Sequence, residues 1–247
     1  MLTHLPAQLD GEVRRGRPGP RQCPCAKQAQ RPGRRPTSAY FLRIGGSFMQ
    51  HIHVLLVDGF TTLDALGPTE VFSKLEGHFG ISYHSRNGGL VTSSTGARVD
   101  TLPVKAILEN DILLVPGGFG TRGLVEDAAF LDLLRELVEK AGTVLSVCTG
   151  SALLARAGVL DGWEATSNKL AWDWVVSQGP RVRWIRKARW VVDGKFWTSS
   201  GITAGIDMAL GFVSNKIRPE VARKVAVALE HVWNEDGTED PFCGVPS

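Results

Sequence analysis

The chain has 247 residues, 43% of them hydrophobic and 21% charged, proportions that supply a sizeable core for one large or two small domains and exclude a chain too polar to fold. Its formal charge of +3 is unevenly spread: residues 1–48 carry nine Lys/Arg against Asp10 and Glu12, a net +7, which leaves −4 on the remainder and no electrostatic reason to expect a nucleic-acid partner. No apolar run is long enough to cross a bilayer, and the N-terminus lacks the apolar region of a secretory signal.

Residues 1–48 are rich in Arg, Pro and Gln and show no hydrophobic period, so they read as a disordered basic tail. The stretch is Arg-rich and acid-poor like a transit peptide, but its six prolines oppose an amphipathic helix. Met49, two residues before the first strand, offers an alternative start. Cys23 and Cys25 form a C-x-C pair without a second ligand pair, so no metal site is read there. Four cysteines without a disulfide pattern point to a reducing, cytoplasmic setting.

From His51 the texture changes. Residues 51–57 (HIHVLLV) predict a buried strand ending in the Asp58-Gly59 turn. Apolar residues at 63, 66, 71, 72 and 75 fit one face of a helix over 62–75, closed by Gly77. Residues 79–84 read as a second strand, and 90–102 as a short β excursion through Ser93-Ser94-Thr95-Gly96. Residues 111–115 (DILLV) predict another buried strand, running into Pro116-Gly117-Gly118. A helix over 127–140, a strand over 143–147 and a helix over 149–157 follow. Uninterrupted apolar strands alternating with helices indicate a mostly parallel sheet covered on both faces, a three-layer α/β/α sandwich. The last third differs: residues 190–198 make a hairpin around Asp193-Gly194, and helices follow near 205–213 and 219–233, the second opened by Pro219. Residues 49–234 thus form one domain, with 235–247 as a C-terminal tail. The run Arg181, Arg183, Arg186, Lys187, Arg189 reads as a solvated face, Asp207 as a helix-face or interface residue, and His78 and His84 as surface residues.

The most informative stretch is residues 145–154, where a strand ends, Cys148 appears, and Thr149-Gly150-Ser151 open a helix. A helix N-terminus presents unpaired N–H groups and the positive end of a dipole, which lowers a thiol pKa. A sharp strand-to-helix turn also lifts the side chain above the sheet edge, where ligands of open α/β sheets bind. Free cysteines are more often inert core residues, and spacing alone leaves the two readings balanced.

Four segments occur in order: Leu63-Asp64-Ala65-Leu66-Gly67-Pro68, Leu114-Val115-Pro116-Gly117-Gly118, Ser146-Val147-Cys148-Thr149-Gly150, and residues 198–207 (TSSGITAGID). Together they resemble the ThiJ/PfpI superfamily, whose fold is class I glutamine amidotransferase-like (flavodoxin-like), and within it the isonitrile hydratase branch. The resemblance covers residues 51–233. It implies Cys148 as nucleophile, Asp64 as the acid/base approaching from the first β–α loop, and Thr149 as the threonine after the cysteine. It also implies the backbone N–H groups of Gly118 and Thr149 as oxyanion donors, Gly117-Gly118 as the turn beside them, and Ser200 and Gly201 as pocket wall. Thiolate attack on the isonitrile carbon would give a thioimidate that water releases as an N-substituted formamide, with no cofactor, a small-molecule substrate and a homodimer.

Each residue keeps a structural alternative. Asp64 and Thr149 suit helix caps, Gly117-Gly118 a tight turn, and Ser199-Ser200-Gly201 a strand-to-helix connection. Asn168 stands where a histidine is frequent in the superfamily, and Asn cannot act as a base, which weighs against Cys-His proteolysis and against glyoxalase-like chemistry. A non-enzymatic redox sensor built on Cys148 is the second class of function. Transcriptional regulation is set aside because only about a dozen residues follow the last helix.

Overall fold

Strands that are apolar on both faces need cover on both sides, and the chain supplies it. The computed structural model describes residues 50–104 and 111–246. The basic stretch 1–48, with Cys23, Cys25 and Met49, lies outside the described residues. The elements are β1 (Gln50–Leu55), α1 (Thr62–Ser73), β2 (Phe79–Ser85), β3 (Gly89–Thr92), β4 (Arg98–Pro103), β5 (Ile112–Val115), α2 (Thr121–Leu124), α3 (Ala128–Lys140), β6 (Thr143–Val147) and α4 (Gly150–Arg156). They continue with β7 (Glu164–Ala165), α5 (Trp172–Gln178), β8 (Arg183–Trp184), β9 (Trp190–Asp193), β10 (Phe196–Ser199), α6 (Ala204–Lys216) and α7 (Pro219–Ala228).

One eight-stranded sheet has the order β3-β4-β2-β1-β5-β6-β10-β9. Its members from β4 through β10 are parallel to their neighbours; only the edge strands β3 and β9 run antiparallel. Alternation along each strand divides the core. Ile112 and Leu114 face one cluster with Ala65, Phe72, Met208 and Val225 from α1, α6 and α7. Leu113 and Val115 face a second cluster with Phe130, Leu134, Leu137 and Leu154 from α3 and α4. This is the three-layer α/β/α sandwich with a mostly parallel sheet that the sequence pattern predicts.

Local chemistry sets the boundaries. Asp127 caps α3 by accepting the Phe130 N–H at 3.0 Å. Inside α1, Gly67 leaves room for the Ile206 side chain, whose nearest atom would lie 2.9 Å from an added Cβ, so α1 and α6 pack closely. The predicted helix over 219–233 stops at Ala228. Glu230 then takes a left-handed φ of 49°, and the chain turns so that the Trp233 indole N–H donates to the Asp207 carbonyl at 3.1 Å.

Three polar expectations are corrected. Arg189 is not solvated: it is 8% exposed and pairs with Asp207 at 2.6 Å, its nearest approach to Asp240 being 3.8 Å. Asp207 is likewise buried, and it also accepts from His231 at 2.8 Å. His84 is half-buried and bonds Ser82 at 2.7 Å and His53 at 3.1 Å. Residues 235–246 are held to the domain, with Asp240 2% exposed and Arg186 donating to the carbonyls of Cys243 and Val245. No helix among the described residues is long and apolar enough to cross a membrane.

The order of the sheet reverses between β1 and β5, since β1 continues outward to β2 while β5 starts the run toward β6 and β10. Such a switch point opens a crevice at the carboxyl ends of the strands. Leu114 lies fully buried in β5 beside it. Leu114→Ala is expected to lower unfolding stability by about 2–5 kcal/mol in urea titration, the range for a buried Leu that leaves a cavity.

Candidate active site

The carboxyl ends of β1, β5, β6 and β10 bring together four loops. After β6 the chain reaches Cys148 with a φ of 58°, a left-handed conformation that a non-glycine residue adopts only when its surroundings hold it. The surroundings do. The Cys148 N–H donates to the carbonyls of Ser199 and Ser200 at 3.2 and 3.1 Å. Its carbonyl accepts from the hydroxyls of Ser151 at 3.1 Å and Ser167 at 2.8 Å. Gly150 then lets α4 start against β5, because an added Cβ would lie 2.2 Å from the Val115 carbonyl oxygen. This is elbow geometry, and it turns the sulfur out of the sheet into a cavity of about 280 Å³.

Asp64 sits in the first turn of α1 but caps nothing. It is fully buried, and its Oδ2 accepts the Gly117 N–H at 3.1 Å across the switch point. Oδ1 is buried without a hydrogen-bond partner, and the Asp64 and Cys148 side chains each shift the other's titration. Burial pushes the Asp64 carboxyl up to about 7, against the opposing pull of the Gly117 N–H and of Cys148. The expected acidity of Cys148 is reversed: burial first, and the Asp64 charge second, push the thiol up to about 12. The Thr149 and Ile202 N–H groups and the Asn168 amide favour the thiolate, yet the sulfur belongs to a residue only 6% exposed, and desolvation outweighs them.

The remaining predicted residues take definite places. Thr149 does not cap α4; its hydroxyl accepts the Gly118 N–H at 2.9 Å and lies 3.3 Å from the Thr121 hydroxyl. The Gly118 N–H is therefore already partnered, and the Thr149 N–H is directed at sulfur, so neither predicted oxyanion donor is idle. Gly117 is required by close approach: an added Cβ would lie 2.5 Å from the Thr149 nitrogen and 3.0 Å from Asp64 Oδ2. Ser200 contributes its backbone to the elbow, while Gly201 leaves room for Asn168, whose Nδ2 would lie 2.6 Å from an added Cβ. Cys148, Thr149 and Gly118 line the cavity; Asp64 is fully buried and is not part of the lining.

Sequence reading missed Asn168 as a ligand of sulfur. Its Nδ2 donates to Cys148 Sγ at 3.2 Å, and its Oδ1 accepts the Ala171 N–H at 3.0 Å, which fixes which end of the amide faces the thiol. The adjoining Lys169 is buried; its ammonium donates to Thr166 Oγ1 and Ala188 O at 2.8 Å each and lies 3.6 Å from Asp240. Burial holds Lys169 down to about 8, with Asp240 opposing. Among the described residues no group of three or more His, Cys, Asp or Glu has metal-holding geometry.

Fold and site together define a protein class: a parallel α/β sandwich with a cysteine elbow at its switch point. The chain belongs to the DJ-1/PfpI family, whose profile matches residues 50–215. It is 36% identical over 183 residues to isonitrile hydratase of Pseudomonas putida, covering 73% of this chain and 78% of that one. It is 30% identical over 183 residues to the HTH-type transcriptional regulator CdhR of Pseudomonas aeruginosa, 72% of this chain but only 54% of the regulator. The crystal structure of a ThiJ/PfpI family protein from Pseudomonas syringae aligns at TM-score 0.68 and 27% identity over 87% of this chain and 86% of that one.

Two stability tests follow from the buried charges. The raised folded pKa of Asp64 means that the stability of its protonated form is present below its ordinary value of 3.8 and is lost as pH rises to about 7. Asp64→Asn should therefore melt higher than wild type at pH 8, with the gap closing toward pH 4; a gap independent of pH would contradict the assigned shift. Asp240→Ala strands the Lys169 ammonium and is expected to cost about 3–5 kcal/mol in urea unfolding at pH 7, the loss typical of breaking a buried pair.

Proposed function

We propose that the protein is a cysteine-dependent isonitrile hydratase that converts an isonitrile and water to an N-substituted formamide. The feature that carries this reading is a fully buried carboxyl, pushed up to about 7, that acts electrostatically on Cys148, the sulfur lining the cavity. A proton donor and acceptor of that strength is what an isonitrile carbon needs, because it must gain both a nucleophile and a proton.

Burial pushes both the carboxyl and the thiol toward their protonated forms, and the Asp64 charge pushes the thiol further. As substrate enters, Asp64 takes the thiol proton and sulfur adds to the terminal carbon. Asp64 returns the proton to that carbon, giving the thioimidate R–N=CH–S–Cys148. Asn168 and the N–H groups of Thr149 and Ile202 stabilise charge on sulfur as the S–H bond breaks. Asp64 then deprotonates water as it attacks the same carbon, and the nitrogen gains the proton. Collapse expels the sulfur, which recovers its proton, and releases R–NH–CHO. Thr149 holds the Gly118 loop against the elbow and acts in this scheme as a positioning residue.

The same burial weighs against a redox sensor, since oxidation follows thiolate character and exposure. The family resemblance implies a homodimer, and the two free described cysteines, Cys148 and Cys243, suit a reducing, cytoplasmic setting. Both belong to the same proposal.

Formamide production from an alkyl isonitrile, followed by mass spectrometry, tests the reading. kcat/KM is expected to rise with pH through about 7, as Asp64 loses its proton, and to stay level up to pH 9. Cys148→Ser should lose at least about 10³-fold in kcat/KM. No formamide from wild-type protein, or full activity in Cys148→Ser, would overturn it.

A further inference from the structure

The cavity above Cys148 has a floor and a rim of different character. Cys148 and Thr149 form the floor and are nearly buried, whereas Phe119 is 83%, Leu170 70% and Ile202 40% exposed around the opening. Only one lining residue carries a formal charge at neutral pH, Arg122, from the exposed side of α2. Its guanidinium carbon stands 3.8 Å from the centroid of the Trp174 ring, so the planar group is held by face-on contact with the indole. Among the described residues no carboxylate lies within ion-pair distance of it. Other arginines differ: Arg86 pairs with Asp127, Arg156 with Glu126, and Arg181 with Asp161.

Stacking on an indole covers the faces of a guanidinium and leaves its N–H edges available to acceptors in the plane, the fork that matches a carboxylate. The orienting contact is made before any ligand arrives, so less side-chain entropy is lost on binding. Phe119, Leu170, Ala171 and Ile202 give the cavity a largely apolar wall, with Thr61, Thr149 and Asn168 as its neutral polar members. From this we infer that Arg122 is an anion subsite at the rim, selecting small molecules with a carboxylate at one end, a short apolar body, and the reactive carbon at the other. A cavity of about 280 Å³ fits such a ligand, being at the lower edge of the roughly 300–1,000 Å³ usual for ligand sites. The inference deepens the hydratase reading and rests on it for the reactive group only; the anion preference is a property of the cavity itself.

The test therefore needs no isonitrile. Alkylation of Cys148 is followed by peptide mass spectrometry on the full chain, with iodoacetate as the anionic reagent and iodoacetamide as its neutral match. In both, sulfur displaces iodide, so the ratio of the two rate constants reports reagent charge. Arg122→Met keeps an apolar stem against Trp174 and removes the charge. The ratio of iodoacetate to iodoacetamide rates is expected to fall about tenfold in Arg122→Met, the scale of one charge-assisted hydrogen bond, with the iodoacetamide rate unchanged. Calorimetric titration with cyclohexanecarboxylate should show binding to wild type that is about tenfold weaker in Arg122→Met, and no comparable binding of cyclohexanecarboxamide. An unchanged alkylation ratio, or equal binding of acid and amide, would overturn the subsite. Turnover separates the two readings: if the carboxylate preference holds while no isonitrile is hydrated, the subsite stands and the reaction assignment falls.

Discussion

A left-handed cysteine is the constraint on which the site depends. A residue with a Cβ held at φ 58° carries a cost of about 1–3 kcal/mol, offset by contacts that over-determine it. The Cys148 N–H is shared between two carbonyls at the end of β10, and its carbonyl takes hydroxyls from α4 and from the 166–169 loop. These groups come from three separate parts of the chain, so the turn is fixed only once β10, α4 and that loop are in place. The elbow is a product of tertiary structure, although its sequence looks like a local turn.

Depth then decides the chemistry. An exposed thiol at a helix start would be acidified by the dipole alone. Here the sulfur lies under its cavity beside a buried carboxyl, and desolvation outweighs three aligned donors. The same burial lifts Asp64 to a value suited to moving protons at neutral pH. The two act on each other in opposite senses: the Asp64 charge pushes the thiol further up, while Cys148 pulls the carboxyl back down. Gly117 secures that closeness: any larger residue would separate Asp64 from Thr149.

Much of this architecture was legible because its cause is local or periodic. Apolar runs such as 111–115 can only be central strands, and helices between them imply a parallel sheet. The Leu63–Pro68 segment was legible as a motif, but its reason, Gly67 against Ile206, needed α6 in position. What stayed hidden depends on distant partners. Asn168 was legible only as a residue that cannot serve as a base, whereas its amide donates to the sulfur. Arg189 looked solvated because a basic run is ordinarily a surface feature, and nothing near it in sequence reveals that Asp207 and Asp240 await it in the interior. The thiol acidity was misjudged for a similar reason: the dipole argument is local, and desolvation is not.

The C-terminal stretch belongs to this account. Asp240 lies buried near both Arg189 and Lys169; Lys169 follows Asn168 directly, and Arg189 offers its carbonyl to the Ser200 N–H behind the elbow. Two of the loops that hold Cys148 are thus tied to one carboxylate some ninety residues further along the chain. A buried pair of this kind contributes little net stability over an apolar substitute, and its value lies in penalising every arrangement that separates the charges. Displacing the 166–169 loop would carry Asn168 away from sulfur, release the Ser167 hydroxyl from the Cys148 carbonyl, and leave Lys169 desolvated without its counter-charge. The chain end thereby helps hold the strained cysteine in its one productive conformation.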